Sequence, residues 1–143
     1  MTYKIYIPRD SSSISLGAND VYQAVLNEAK KKNIDIEIVR NGSRGLFWLE
    51  PLIEVDTKNG RVAYGPVNVS DVPSLFDSKF YLGSKHPLCL GITEEIKWLK
   101  NQERLTYARV GIIDPLDIDE YEKLNGFNGL KNSIKLTPEN IVK

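Results

Sequence analysis

One cysteine, Cys89, and one histidine, His86, lie three residues apart, and the chain has no second copy of either. Both can coordinate a soft or borderline metal, but a structural zinc site takes about four ligands, and nothing in the sequence brings carboxylates beside them. Cys89 sits between Leu88 and Leu90 and reads as a buried thiol. A self-contained iron–sulfur cluster needs about four thiolates, which this chain does not have. Nucleophilic catalysis is equally bare. Ser11, Ser12 and Ser13 supply hydroxyls, but His86 is the one conventional base and no spacing pairs it with them. The serines read as satisfying backbone groups in a turn. No catalytic, cofactor-binding or metal-binding residue is assigned.

The stretch richest in chemical character is Asn41–Pro51, NGSRGLFWLEP. Its glycines, Ser43 and Arg44 could bind an anion through backbone N–H groups. The spacing fits neither the phosphate-loop pattern nor a dinucleotide fingerprint. Phe47 and Trp48 are neighbours, so both can hardly enter one small sheet face, and at least one is expected on the surface. Aromatics beside an arginine are typical interface anchors. Docking is therefore the leading reading, with ordinary core packing and ligand contact as alternatives. Trp98, Leu99, Leu105, Tyr107 and Val110 offer a second apolar surface. Arg104 and Arg109 on that stretch could pair with carboxylates of a partner; a helix packing on its own neighbour is the competing reading. The candidate interface residues are Arg44, Phe47, Trp48, Trp98, Arg104 and Arg109.

Composition bounds these readings. A chain of 143 residues holds one ordinary core or two small units. Its 41% hydrophobic and 27% charged residues are those of a soluble globular protein. Nineteen basic residues balance nineteen acidic ones, so the basic excess of a nucleic-acid binder is missing. No apolar run approaches the roughly 18 residues of a membrane span, and the start, MTYKIYIPRD, lacks a signal-peptide core. A single cysteine excludes an internal disulfide and suits a reducing compartment, which makes the cytoplasm the expected location.

The elements that must position these residues follow from periodicity. Residues 3–7 alternate apolar and polar up to Pro8, a strand. Arg9–Ser15 is a polar turn. Residues 17–32 carry Val21, Tyr22, Val25, Leu26 and Ala29 on one helical stripe, with Lys30, Lys31 and Lys32 at the C-terminal end. Residues 34–39 place three isoleucines on one face of a second strand. Residues 52–57 and 61–64 flank an Asn59-Gly60 turn and read as a hairpin. Ser70 is the expected cap of a short helix bearing Val72, Leu75 and Phe76. This order of strand, helix, strand, hairpin and helix predicts a thioredoxin-like α/β domain, a four-stranded sheet covered by two helices. Residues 83–91 read as a connector, and Thr93 as the cap of a helix running through Leu105. Thr137-Pro138-Glu139 is a well-formed helix start with five residues after the proline, so the chain is expected to be an N-terminal portion of something larger.

Five segments carry a family resemblance: NGSRGLFWLEPLIEV from Asn41, GRVAYGPV from Gly60, HPLCLG from His86, WLKNQERLTYARVGIIDPLDIDEY from Trp98, and NGFNGLKNSIKLTPENIV from Asn125. As a set, covering essentially the whole chain, they resemble the N-terminal part of the beta subunit of NAD-dependent formate dehydrogenases containing molybdenum or tungsten. That subunit is a relative of the flavin-bearing, NADH-binding subunit of respiratory complex I and of NAD-reducing hydrogenases. The resemblance implies a thioredoxin-like domain over residues 1–82, a ferredoxin-like cluster-domain scaffold without cluster cysteines. Residues 83–143 would then be a mostly helical linker and the truncated start of a flavoprotein domain. For the full-length subunit it implies FMN, NAD and a [4Fe–4S] centre, but the glycine-rich flavin segment and the cluster cysteines are not among these residues. No cofactor is therefore expected in this chain. Thioredoxin-like ferredoxin domains elsewhere carry cluster cysteines in the loops after their first and second strands. The corresponding loops here, Pro8–Ser15 and Asn41–Gly45, contain none. The implied role is a non-catalytic assembly portion that packs against gamma and alpha subunits of an enzyme passing electrons from formate through iron–sulfur centres and FMN to NAD⁺. A free-standing thioredoxin-like adaptor, and the equivalent part of a complex I or hydrogenase diaphorase, remain as alternatives.

Overall fold

The computed structural model describes residues 1–142. Strand β1 (Tyr3–Tyr6) leads into one helical turn, α1 (Ser11–Ser15), and then α2 (Ala18–Lys31), the longest helix. β2 (Ile36–Val39) returns parallel to β1, and β3 (Ile53–Thr57) and β4 (Gly60–Tyr64) form the hairpin. Next come α3 (Val72–Asp77), β5 (Cys89–Ile92), α4 (Lys97–Lys100), α5 (Ile118–Lys123), α6 (Asn128–Ser133) and α7 (Pro138–Ile141). The sheet order is β2-β1-β3-β4-β5, with every pair antiparallel except β1–β2.

Strand alternation divides the sheet into two unlike faces. Ile5, Ile7, Ile53, Val55, Val62 and Tyr64 point to one side and meet Val21, Val25 and Ala29 of α2 and Val72, Leu75 and Phe76 of α3. This is the main core, and its apolar burial supplies most of the drive to fold. The intervening residues Tyr6, Glu54, Arg61 and Ala63 face the other way. That second face has only a small apolar cluster, built from Leu46, Leu52, Ala63 and Leu99.

Several local structures differ from the sequence-based expectation. The sheet has five strands, because Cys89–Ile92, of which residues 89–91 read as connector in the sequence, pairs with β4. The ladder shifts register at Ala63/Tyr64 and Gly91 takes φ +83°, so the alternation that reveals a strand is lost. The serine turn closes into α1, capped by the Asp10 carboxylate, which accepts from the backbone N–H groups of Ser12 and Ser13. Asn68, rather than Ser70, forms the capping box before α3, with Asp71 Oδ2 accepting the Asn68 backbone N–H at 2.8 Å. Thr93 is fully buried and caps nothing, and the expected long helix shrinks to α4.

Candidate interface

The loop between β2 and β3 is tied down from within. Ser43 Oγ donates to Glu50 Oε1 at 2.8 Å, and the Leu52 N–H donates to Glu50 Oε2 at 2.9 Å. The Arg9 N–H donates to the Asn41 carbonyl at 2.9 Å, so the loops after β1 and β2 lie side by side. Burial pushes the Glu50 carboxyl above its ordinary value, opposed by the Leu52 N–H and the Ser43 and Ser13 hydroxyls. Asp10 goes the other way. Burial raises it, but the hydroxyls of Ser12 and Ser13 and the backbone N–H groups of Ser13 and Asp10 pull it below the ordinary range.

Beneath this loop, on the second face of the sheet, lies a buried charge cluster. Glu54 and Arg44 have side chains 1% and 2% exposed, with Arg44 Nε 2.9 Å from Glu54 Oε1. That contact is an ion pair by distance, without the aligned N–H of a hydrogen bond. Arg61 Nη1 donates to Glu54 Oε2 at 3.1 Å and its Nε lies 3.4 Å from Asp56. The Arg61 guanidinium also stacks 3.3 Å from the Tyr6 ring, whose hydroxyl donates to Asp56 at 2.9 Å. Arg44 reaches outward to Glu94 through Nη2. Burial raises the Glu54 carboxyl against the pull of Arg44 and Arg61, and desolvation lowers Arg44 against the pull of Glu54. Glu54 and Arg61 are absent from the candidate residues drawn from sequence. The signal was there: Glu54 and Asp56 lie two apart on one face of β3, and Asp56 is in register with Arg61 across the hairpin.

Above the cluster stands an aromatic face. Phe47, Trp48 and Trp98 are each 58% exposed, and the two indoles meet edge to face at 5.6 Å. Shallow depressions of about 600 and 690 Å³ lie beside Phe47 and beside the tryptophan pair, sharing Gln102 on their rims. Of the six candidate residues, Phe47, Trp48 and Trp98 thus border adjoining depressions. Arg104 lines the first and donates to the Arg44 carbonyl at 3.3 Å. The Arg44 side chain itself is inside, under the face. Arg109 turns elsewhere, 4.7 Å from the Tyr121 ring, with Nη1 donating to the Leu124 carbonyl at 3.4 Å. His86 is absorbed by its own turn: Nδ1 accepts the Leu88 N–H at 3.1 Å, leaving Nε2 3.1 Å from Ser74 Oγ.

Two solved structures of a thioredoxin-like [2Fe-2S] ferredoxin from Aquifex aeolicus resemble the chain, with TM-scores of 0.51 and 0.52. Each is 18% identical over 63% of this chain, and the matches cover 97% and 91% of the ferredoxin chains. The fold is thioredoxin-like. No family model and no curated protein sequence matches the chain. At this identity the likeness concerns architecture alone. A [2Fe–2S] cluster held by thiolates does not fit the residues present: Cys89 lies in β5, and the loops after β1 and β2 offer hydroxyls and a carboxylate already engaged with one another. Among the described residues no helix is long and apolar enough to cross a membrane.

Proposed function

We propose that this chain is a non-catalytic assembly portion of an NADH-dehydrogenase-type redox subunit, that of an NAD-dependent formate dehydrogenase. The observation that carries the docking role is the aromatic face. Three large rings are each more than half exposed: Phe47 and Trp48 stand on a loop anchored by Glu50 and Ser43, and Trp98 meets Trp48 from α4. Large half-exposed rings on a pre-organised loop lose little entropy on binding and are typical of the residues that dominate an interface. The thioredoxin-like ferredoxin architecture is compatible with a place beside redox centres, and the choice of formate as electron source rests on the resemblance of the five sequence segments.

In this reading the alpha subunit oxidises formate and the gamma subunit lies beside the chain. FMN, NAD and [4Fe–4S] belong to the full-length subunit, and the assembly works in the cytoplasm. The residues of this chain contribute packing: Phe47, Trp48 and Trp98 as anchors, with Arg104 as the flanking charge and Arg44 as the buried support of the loop, while Arg109, turned toward Tyr121, lies outside this face. The test is recovery of separately produced gamma and alpha subunits on the immobilised chain, wild type against Trp48→Ala. Reduced recovery is the expected result, and equal recovery would remove Trp48 from the interface. Stoichiometric iron or flavin copurifying with the chain would overturn the non-catalytic assignment.

A further inference from the structure

Residues 101–117 run beside the second face of the sheet with their side chains turned the wrong way for a core segment. Gly111 is the one buried residue among them, while Leu105 is 91% exposed, Tyr107 69% and Leu116 73%. Polar contacts hold the segment down. Asn41 Nδ2 donates to the Gly111 carbonyl at 2.8 Å, and Arg61 Nη2 donates to the Ile112 carbonyl at 2.8 Å. Arg104 reaches the Arg44 carbonyl, and Arg9 lies 4.0 Å from Asp114. Gly111 marks the closest approach. Its φ of +76° suits glycine, and a Cβ there would stand 2.7 Å from both Arg44 Cδ and the Ser43 carbonyl oxygen.

We propose that residues 101–117 form a strap, latched at Gly111, which opens as a unit and uncovers Arg44 and the Glu54–Arg61 pair while the five-stranded sheet stays folded. Opening exchanges a few hydrogen bonds to protein for hydrogen bonds to water, a change of small net cost. Of its own apolar side chains only those of Ile112 and Ile113 are part-buried, so opening gives up little apolar contact, and segments of that kind open most readily. The released chain regains backbone entropy. Water reaching Arg44 and Glu54 relieves the desolvation they bear when covered. The strap depends on none of the docking assignments, since its latch and its exposed side chains belong to the chain itself.

Amide hydrogen exchange and limited trypsin digestion test it, on the wild type and on Gly111→Ala and Asn41→Ala. In the wild type, amides of residues 104–112 are expected to exchange at least about tenfold faster than those paired between β3 and β4. Gly111→Ala places a methyl group in the latch and should speed cleavage after Arg104 and Arg109 by about fivefold or more, with the far-ultraviolet spectrum unchanged. Asn41→Ala removes the hydrogen bond without adding an atom, so it carries the test if Gly111→Ala does not fold. Exchange of residues 104–112 at the rate of β3 and β4, or unchanged cleavage in the folded variants, overturns the strap.

Discussion

Glu54→Gln is expected to lower folding stability by about 3 kcal/mol, because it removes the buried carboxylate that faces two arginines on the second face of the sheet. Removing one partner of a buried ion pair costs about 3–5 kcal/mol, since the other charge stays desolvated. The low end applies here. Arg61 is 19% exposed and retains Asp56, and Arg44 retains Glu94, whose carboxylate is 64% exposed. With a urea slope of about 1.5–2 kcal/mol per molar for a chain of this size, the midpoint should fall by about 1.5–2 M. Adding Arg44→Met removes the orphaned guanidinium and should recover about 1–2 kcal/mol of that loss. Urea titrations of the wild type, both single variants and the double variant measure all four terms. A Glu54→Gln loss below about 1 kcal/mol, or single losses that simply add, would refute a desolvated, interdependent cluster.

Three further outcomes are expected. Glu50, raised by burial above 4.5, binds its proton more tightly in the folded state, so its contribution is intact below the unfolded value and is lost as pH rises through the folded one. Glu50→Gln should therefore gain stability relative to wild type as pH rises above about 4.5; a constant difference in urea midpoint would contradict this. Asp10, lowered below 3.8, contributes above its unfolded value and loses that contribution as pH falls through the folded one. Asp10→Ala should cost about 1–2 kcal/mol near neutral pH and progressively less in acid, read by thermal melts; a deficit that persists unchanged in acid counts against the cap. Trp48→Ala should cost no more than about 1.5 kcal/mol, the scale of an edge-to-face pair, and a larger midpoint shift would mean that Trp48 is a core residue.

The parts of the fold legible in sequence were those whose burial is periodic. Ile5 and Ile7, Ile53 and Val55, and Val21, Val25 and Ala29 all reach the main core, so their spacing reported real faces. Asn59-Gly60 marked the hairpin because Gly60 takes φ +111° at the turn. β5 was not legible, since its glycine and register shift erase alternation over four residues. For the site, two adjacent large rings beside a small sheet implied that at least one of Phe47 and Trp48 is exposed, and the structure exposes both. The burial of Arg44 did not, because its partners Glu54 and Glu94 come from a later strand and a turn beyond β5, brought together by the sheet alone.

The edge-to-face indoles make the protein a selective optical instrument. Trp48 and Trp98 are its two tryptophans, so its indole emission comes wholly from the aromatic face and none of it from the core between the sheet and α2. Emission will shift when that face is covered or parted, even where the helices and strands are untouched. Unfolding followed by indole emission and by peptide circular dichroism should accordingly separate whenever the face loosens ahead of the sheet.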